Sequence, residues 1–209
     1  GVIKQNPAKS KHLETATAKL GDFVLDFVEL RQESYTDSTG RIPKVVGGTP
    51  LEDARRRDLT INSLFYNVDT QQLEDFTRMG LEDLRACRIR TPIAAEAILK
   101  DDPLRALRAL RFATVLKPHF TIVPELQAAC ASPAVHAALR SKVSYERIMS
   151  EVRLMTRPGL PHAARGVALL HQYGLLPDCV LVFPGLVRPE APPEAATPAA
   201  AAKEAKAEK

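Results

Sequence analysis

Two β-rich runs flank a Gly21-Asp22 pair within residues 13–31, LETATAKLGDFVLDFVELR, and predict a hairpin. A polar, basic stretch from Gln32 to about Gly48 reads as a loop. Thr49-Pro50-Leu51-Glu52 then marks a helix start, with Thr49 as N-cap, Pro50 at the first helical position and Glu52 closing a capping box. If that helix runs on, Leu51, Ala54, Ile61 and Phe65 form its apolar stripe, with Asp58 and Asn62 inside it. A second hairpin is expected near Tyr66 to Phe76, turning at Asp69-Thr70-Gln71.

From about Leu81 the helical period dominates. Asp102-Pro103 starts a helix to about Leu116, with Asp102 as N-cap. Further helices are expected over 124–131, 144–155 and 161–173, the last ended by Gly174. Residues 189–209 are rich in Pro, Ala and charge and predict a disordered tail. Strands first and helices afterwards give an α+β chain, a small α/β piece followed by an all-helical domain.

Composition narrows the picture only a little. Hydrophobic residues make up 45% and charged residues 26%, an ordinary globular balance. No apolar run approaches the roughly 18 residues that span a membrane, and the opening GVIKQNPAKSKH does not read as a secretory signal. The net charge of +4 favours a polyanionic partner such as RNA, weakly. Cys87, Cys130 and Cys179 lie far apart without CxxC spacing and read as reduced thiols of an intracellular protein. The scattered histidines show no metal-ligand spacing, and no GxxxxGK[ST] loop is present.

Several polar residues stand at positions that otherwise read as apolar. Asp26 shares a strand face with Val24 and Val28, where burial of a carboxylate would require a metal ion or a base; a solvated face is the plainer account. Arg55, Arg56 and Arg57 form a cluster able to hold phosphates beside Asp58 and Asn62, or a buried structural network. Arg105, Arg108 and Arg111 recur every third residue on an otherwise apolar helix. Asp102 and Arg105, one turn apart, can face the same way. An Asp acceptor beside an Arg donor matches the amino group and ring acceptor of cytosine or adenine, and mismatches uracil and guanine. Taken alone, a helix N-cap paired with its own first-turn arginine is the simpler reading.

Together, RRDLTIN (56–62), DLRACRIRTP (83–92), DDPLRALRALRFA (101–113) and SYERIMSEV (144–152) resemble, in order and spacing, class II tRNA nucleotidyltransferases. That family comprises CCA-adding enzymes and bacterial-type poly(A) polymerases. ETATAKL, DFVELR, RIPKV and GTPLEDARRRD look most like its eukaryotic CCA-adding branch. The resemblance implies the remainder of a polymerase-β-like head with a mixed sheet over residues 1–95. A helical neck and start of an RNA-binding body would follow over 96–183, with a tail over 184–209. It implies that Arg56, Arg57, Asp58 and Asn62 meet the ribose and triphosphate, and that Asp102 and Arg105 serve as an amino-acid template. Arg108 and Arg111 would be triphosphate or fold-supporting contacts. Ser144, Glu146 and Arg147 would belong to a structural helix, and Asp26 to the metal-binding strand.

The implied reaction is CCA addition to tRNA from CTP and ATP with Mg²⁺; the alternatives are poly(A) addition and a non-catalytic RNA- or nucleotide-binding remnant. The family's Asp-x-Asp pair has no counterpart in these residues, so the 209-residue chain alone is expected to be inactive. Cys87 stands where the family usually has Gly, predicting a strained turn if its φ is positive. Neither compartment, among cytosol, nucleus and mitochondrion, nor oligomeric state is specified.

Overall fold

The computed structural model describes residues 2–3, 15–34, 44–157 and 162–181; the expected tail lies outside them. β1 (Val2–Ile3), β2 (Thr15–Leu20) and β3 (Phe23–Val28) form an antiparallel sheet in that order. The β2–β3 turn falls at Gly21-Asp22 as the sequence predicts, and Gly21 has φ of +59°. Ala16, Ala18 and Leu20 pair with Phe27, Leu25 and Phe23. Their apolar face remains exposed among the described residues.

The stretch expected to be a loop instead holds a hairpin: β4 (Arg31–Ser34) pairs antiparallel with β5 (Lys44–Gly47). RQES has no apolar alternation to announce a strand, so backbone pairing rather than a hydrophobic face defines it. Helix α1 (Pro50–Arg55) begins with the expected capping box, Thr49 and Glu52 satisfying each other's backbone N–H groups. It stops after six residues, so the long apolar stripe through Phe65 does not form. A short 3-10 turn at Thr60–Asn62 follows. The second hairpin is β6 (Phe65–Asn67) against β7 (Gln72–Glu74), and Gln71 in its turn has φ of +55°.

The remainder is helical apart from one parallel bridge, β8 (Arg88–Ile89) with β9 (Thr121–Ile122). The helices are α2 (Gly80–Arg85), α3 (Ala95–Asp101), α4 (Leu104–Val115), α5 (Pro124–Cys130), α6 (Pro133–Lys142), α7 (Tyr145–Thr156) and α8 (Ala163–Gln172). Gly174, at φ +70°, sits where the last helix turns off. Helix α4 is the hub, packed against α3, α7 and α8. Leu104, Ala106, Leu107, Ala109, Leu110 and Ala113 bury most of its circumference, and the small alanines let its neighbours approach closely. One core cluster joins Leu59 and Ile89 to this bundle, so apolar contact is continuous across residue 95. None of the described helices is long and apolar enough to cross a membrane.

All three cysteines are free thiols. Burial pushes the Cys130 thiol up to about 12, which keeps it protonated and unreactive at neutral pH.

Cys87 does occupy the left-handed region, at φ +52°. Its carbonyl accepts from Thr121 N at 2.8 Å, which ties the turn to the β8–β9 bridge. Glycine there relieves roughly 1–2 kcal/mol of backbone strain. It gives back about 0.5–1 kcal/mol of chain entropy and loses a partly buried side chain. Cys87→Gly is therefore expected to leave stability within about 1 kcal/mol. Cys87→Val, β-branched at positive φ, is expected to cost roughly 1–2 kcal/mol. Urea titration of the two variants checks the contrast.

Candidate functional site

Asp53 anchors the first wall of the site. It is buried to 1% exposure in α1. Its carboxylate accepts from Arg56 Nε at 3.0 Å and from Arg56 Nη2, and from Arg57 Nε and Nη2 at 3.0 and 2.8 Å. Arg31 N reaches the same carboxylate at 3.3 Å. Burial pushes the Asp53 carboxyl up, but these two arginines outweigh it and hold it below the usual value. Arg57 also donates to the Asn62 carbonyl at 2.8 Å and lies over the Phe65 ring at 4.6 Å. Both guanidiniums are thus fixed before any ligand arrives.

That depressed pKa sets a pH dependence. Because the folded value lies below the unfolded one, the stabilisation is complete above the unfolded pKa of about 3.9. It is lost as pH falls through the lowered folded value. Stability is expected to hold from pH 7 to about 5 and then fall, with a shallower acid slope in Asp53→Asn. Chemical denaturation across pH 3–7 measures it.

Asp58 and Asn62 meet although no continuous helix joins them. Asn62 Nδ2 donates to Asp58 Oδ1 at 3.0 Å, and Leu59 N donates to the same oxygen at 2.9 Å. Arg108, from α4, brings Nε at 2.8 Å and Nη2 at 2.7 Å to Asp58 Oδ2. Four donors fill the roughly four acceptor directions of a carboxylate. Asp58 is therefore a saturated hub, and Asn62 Oδ1 is the nearby group left to accept from a ligand. Thr60 of the same motif is fully buried and donates to Asp83 at 2.7 Å.

Helix α7 closes the other side. Glu151, buried, accepts from Arg111 Nε at 2.5 Å and lies 3.6 Å from Arg108 Nη1. Burial lowers the Arg108 pKa, but the fields of Asp58 and Glu151 raise it above the ordinary value. Asp102 accepts from Leu104 N at 3.2 Å, capping α4 from one residue earlier than the assigned boundary at Pro103. Its other oxygen lies 3.6 Å from Arg147 Nη2.

These residues enclose one cavity of about 600 Å³, lined by Arg56, Arg57, Asp58, Asn62, Asp102, Arg105, Arg108, Phe112 and Arg147. Seven of the sequence-derived site residues share it. Two do not. Arg111 points to Glu151 and the Phe112 ring, 4.2 Å away, as a fold-supporting group. Asp26 stands on the exposed β3 strand, where Thr17 Oγ1 donates to it at 2.7 Å; the solvated reading of that face is the one observed. Sequence reasoning gave no part to Asp53 or Glu151. The spacing of Asp53 ahead of Arg56 and Arg57 was a usable signal; Glu151, reached only through tertiary packing, offered none.

Five guanidiniums, two carboxylates and an aromatic ring around one cavity suit a ligand that joins polyphosphate to a flat polar base. Fold and site together define a nucleotide-binding head continued by a helical bundle.

Residues 1–90 match the family model described as Poly A polymerase head domain. The chain is 52% identical over 150 residues to a mitochondrial CCA tRNA nucleotidyltransferase of Saccharomyces cerevisiae, covering 72% of this chain and 27% of that one. It is 47% identical over 173 residues to tRNA nucleotidyltransferase cca1 of Schizosaccharomyces pombe, covering 83% and 34%. A crystal structure of the Bacillus stearothermophilus CCA-adding enzyme in complex with CTP superposes with a TM-score of 0.61 at 27% identity, over 77% of this chain and 36% of that one. The chain belongs to the tRNA nucleotidyltransferase and poly(A) polymerase family, and its relatives include eukaryotic CCA tRNA nucleotidyltransferases. It spans about a quarter to a third of the length of these two curated relatives.

Proposed function

We propose that these residues form the nucleotide-selecting part of a template-independent RNA nucleotidyltransferase that adds CCA to tRNA 3′ ends from CTP and ATP. The observation that carries the reading is the placement of Asp102 and Arg105 on the wall of the arginine-lined cavity. Among the described residues, Arg105 alone of the five lining arginines has no ion pair or side-chain hydrogen bond. It is free to donate to a ring nitrogen or carbonyl while Asp102 accepts from the adjacent amino group. Arg56 and Arg57, already oriented by Asp53, would hold the triphosphate, and Asn62 Oδ1 would accept from a ribose hydroxyl. Phe112 offers a flat apolar face beside them.

The reaction is attack of an RNA 3′-hydroxyl on the NTP α-phosphate, with loss of pyrophosphate. The contribution of these residues is to position and neutralise the nucleotide. Mg²⁺, expected from the family resemblance, finds no fitting site among the described residues. Asp26 is one exposed carboxylate held by one threonine, and no three His, Cys, Asp or Glu groups converge among the described residues. Residues 1–95 would supply the sugar-phosphate side and residues 96–183 the base-reading and RNA-binding side.

The test uses the longest gene product that contains these residues, with a tRNA ending at the position before CCA and labelled CTP or ATP. Incorporation of C, C and then A supports the reading. Addition of A without C favours a poly(A) polymerase, and no incorporation beside tight nucleotide binding favours a non-catalytic remnant.

A further inference from the structure

Asp102 and Arg105 lie three residues apart at the start of α4, the spacing at which a carboxylate and a guanidinium readily close on each other. They do not do so. Asp102 turns instead to the Leu104 N–H and to Arg147 Nη2, 3.6 Å away on α7. Arg105 is left without a side-chain partner among the described residues. All three side chains line the same cavity.

We propose that Arg147 is a positioning residue that determines nucleotide specificity, holding Asp102 away from Arg105 so that the pair stays open to a base. The inference deepens the proposed function and rests on it. An Asp102–Arg105 ion pair would bind the acceptor and the donor to each other and withdraw both from the base. Arg147 prevents this by competing for the carboxylate from across the cavity. At 3.6 Å it leaves the Asp102 carboxylate with acceptor directions for an exocyclic amino group. Arg147 keeps 55% of its surface exposed and Asp102 30%. An ion pair this open contributes little to stability. It can shift an exposed, low-energy choice of partner, and that choice is the quantity at issue. Helix α7 thereby sets the reader on α4, a link between segments 45 residues apart.

The experiment measures equilibrium binding of CTP and UTP to the 209-residue chain by calorimetry, for wild type, Arg147→Ala, Arg147→Lys and Asp102→Ala. Wild type is expected to prefer CTP. Arg147→Ala is expected to lower the CTP-to-UTP affinity ratio by roughly 3- to 10-fold, the scale of one weakened polar contact, with melting temperature nearly unchanged. Arg147→Lys, which keeps the charge, is expected to recover part of the ratio. In the Asp102→Ala background, removing Arg147 is expected to change the ratio no further.

A wild-type ratio near one would defeat the nucleotide-selecting reading itself. A wild-type preference that Arg147→Ala leaves intact would overturn the present inference alone. A loss of ratio matched by a lowered melting temperature would assign Arg147 to the fold and overturn it too. If the alanine variant does not fold, Arg147→Gln replaces it and is read in the same way.

Discussion

Replacing Asp53 with alanine is expected to destabilise the protein more than any substitution of a residue lining the cavity. The carboxylate is 1% exposed and accepts from two guanidiniums and the Arg31 N–H. Removing one member of a buried ion pair typically costs about 3–5 kcal/mol, because the partner charge is stranded. Here the arginine side chains retain 21% and 33% of their exposure and can turn towards water. The expected loss is accordingly smaller, roughly 2–4 kcal/mol, read as a shift in urea midpoint at unchanged slope. Asp53→Asn keeps the shape and one acceptor and should fall between wild type and alanine. Both variants should also weaken binding of all four nucleoside triphosphates alike, since Arg56 and Arg57 lose the group that aims them. A variant that binds CTP with wild-type affinity after losing Asp53 would detach these arginines from the triphosphate.

The double substitution of Asp102 and Arg105 by alanine should act in the opposite manner. Neither side chain is deeply buried, and loss of the Asp102 cap on Leu104 N should cost only about 1 kcal/mol. Base preference should vanish. A matched acceptor–donor pair contributes about 1–3 kcal/mol of discrimination between bases, corresponding to roughly 5- to 150-fold in relative affinity. The variant is expected to bind CTP, ATP, UTP and GTP within about 3-fold of one another, through the sugar-phosphate contacts that remain. The two substitutions divide the cavity by function: Asp53 supports what every nucleotide shares, and Asp102 with Arg105 reads what distinguishes them.

Much of this was legible in the chain, for identifiable physical reasons. The capping box at Thr49–Glu52 and the turn at Gly21-Asp22 are local codes, and local codes survive folding unchanged. The helices after residue 95 were readable because their apolar faces repeat at helical period; α3 has no capping residue at its start, whereas Ser132-Pro133 does mark the start of α6 and was passed over. The β4–β5 hairpin escaped because RQES and KVVG carry no shared alternating pattern. At the site, RRDLTIN and DDPLRALR named seven lining residues because their chemistry is concentrated in short segments. What the chain did not reveal is partner choice. The sequence predicts Asp102 beside Arg105, whereas the fold gives Asp102 to Arg147 and leaves Arg105 open. For Arg108 the sequence leaves phosphate and fold-supporting contacts both open, and the structure shows it clamped between Asp58 and Glu151, 50 and 43 positions away. Contacts of that range depend on how α7 packs across α4, which no local pattern encodes.

Titrating the 209-residue chain with each of the four nucleoside triphosphates under identical salt gives the most direct measure of whether this cavity chooses among bases. CTP and ATP are expected to bind at least about tenfold more tightly than UTP and GTP. Equal affinity for all four, or a preference for UTP or GTP, would contradict the assignment of Asp102 and Arg105 as the groups that read the base.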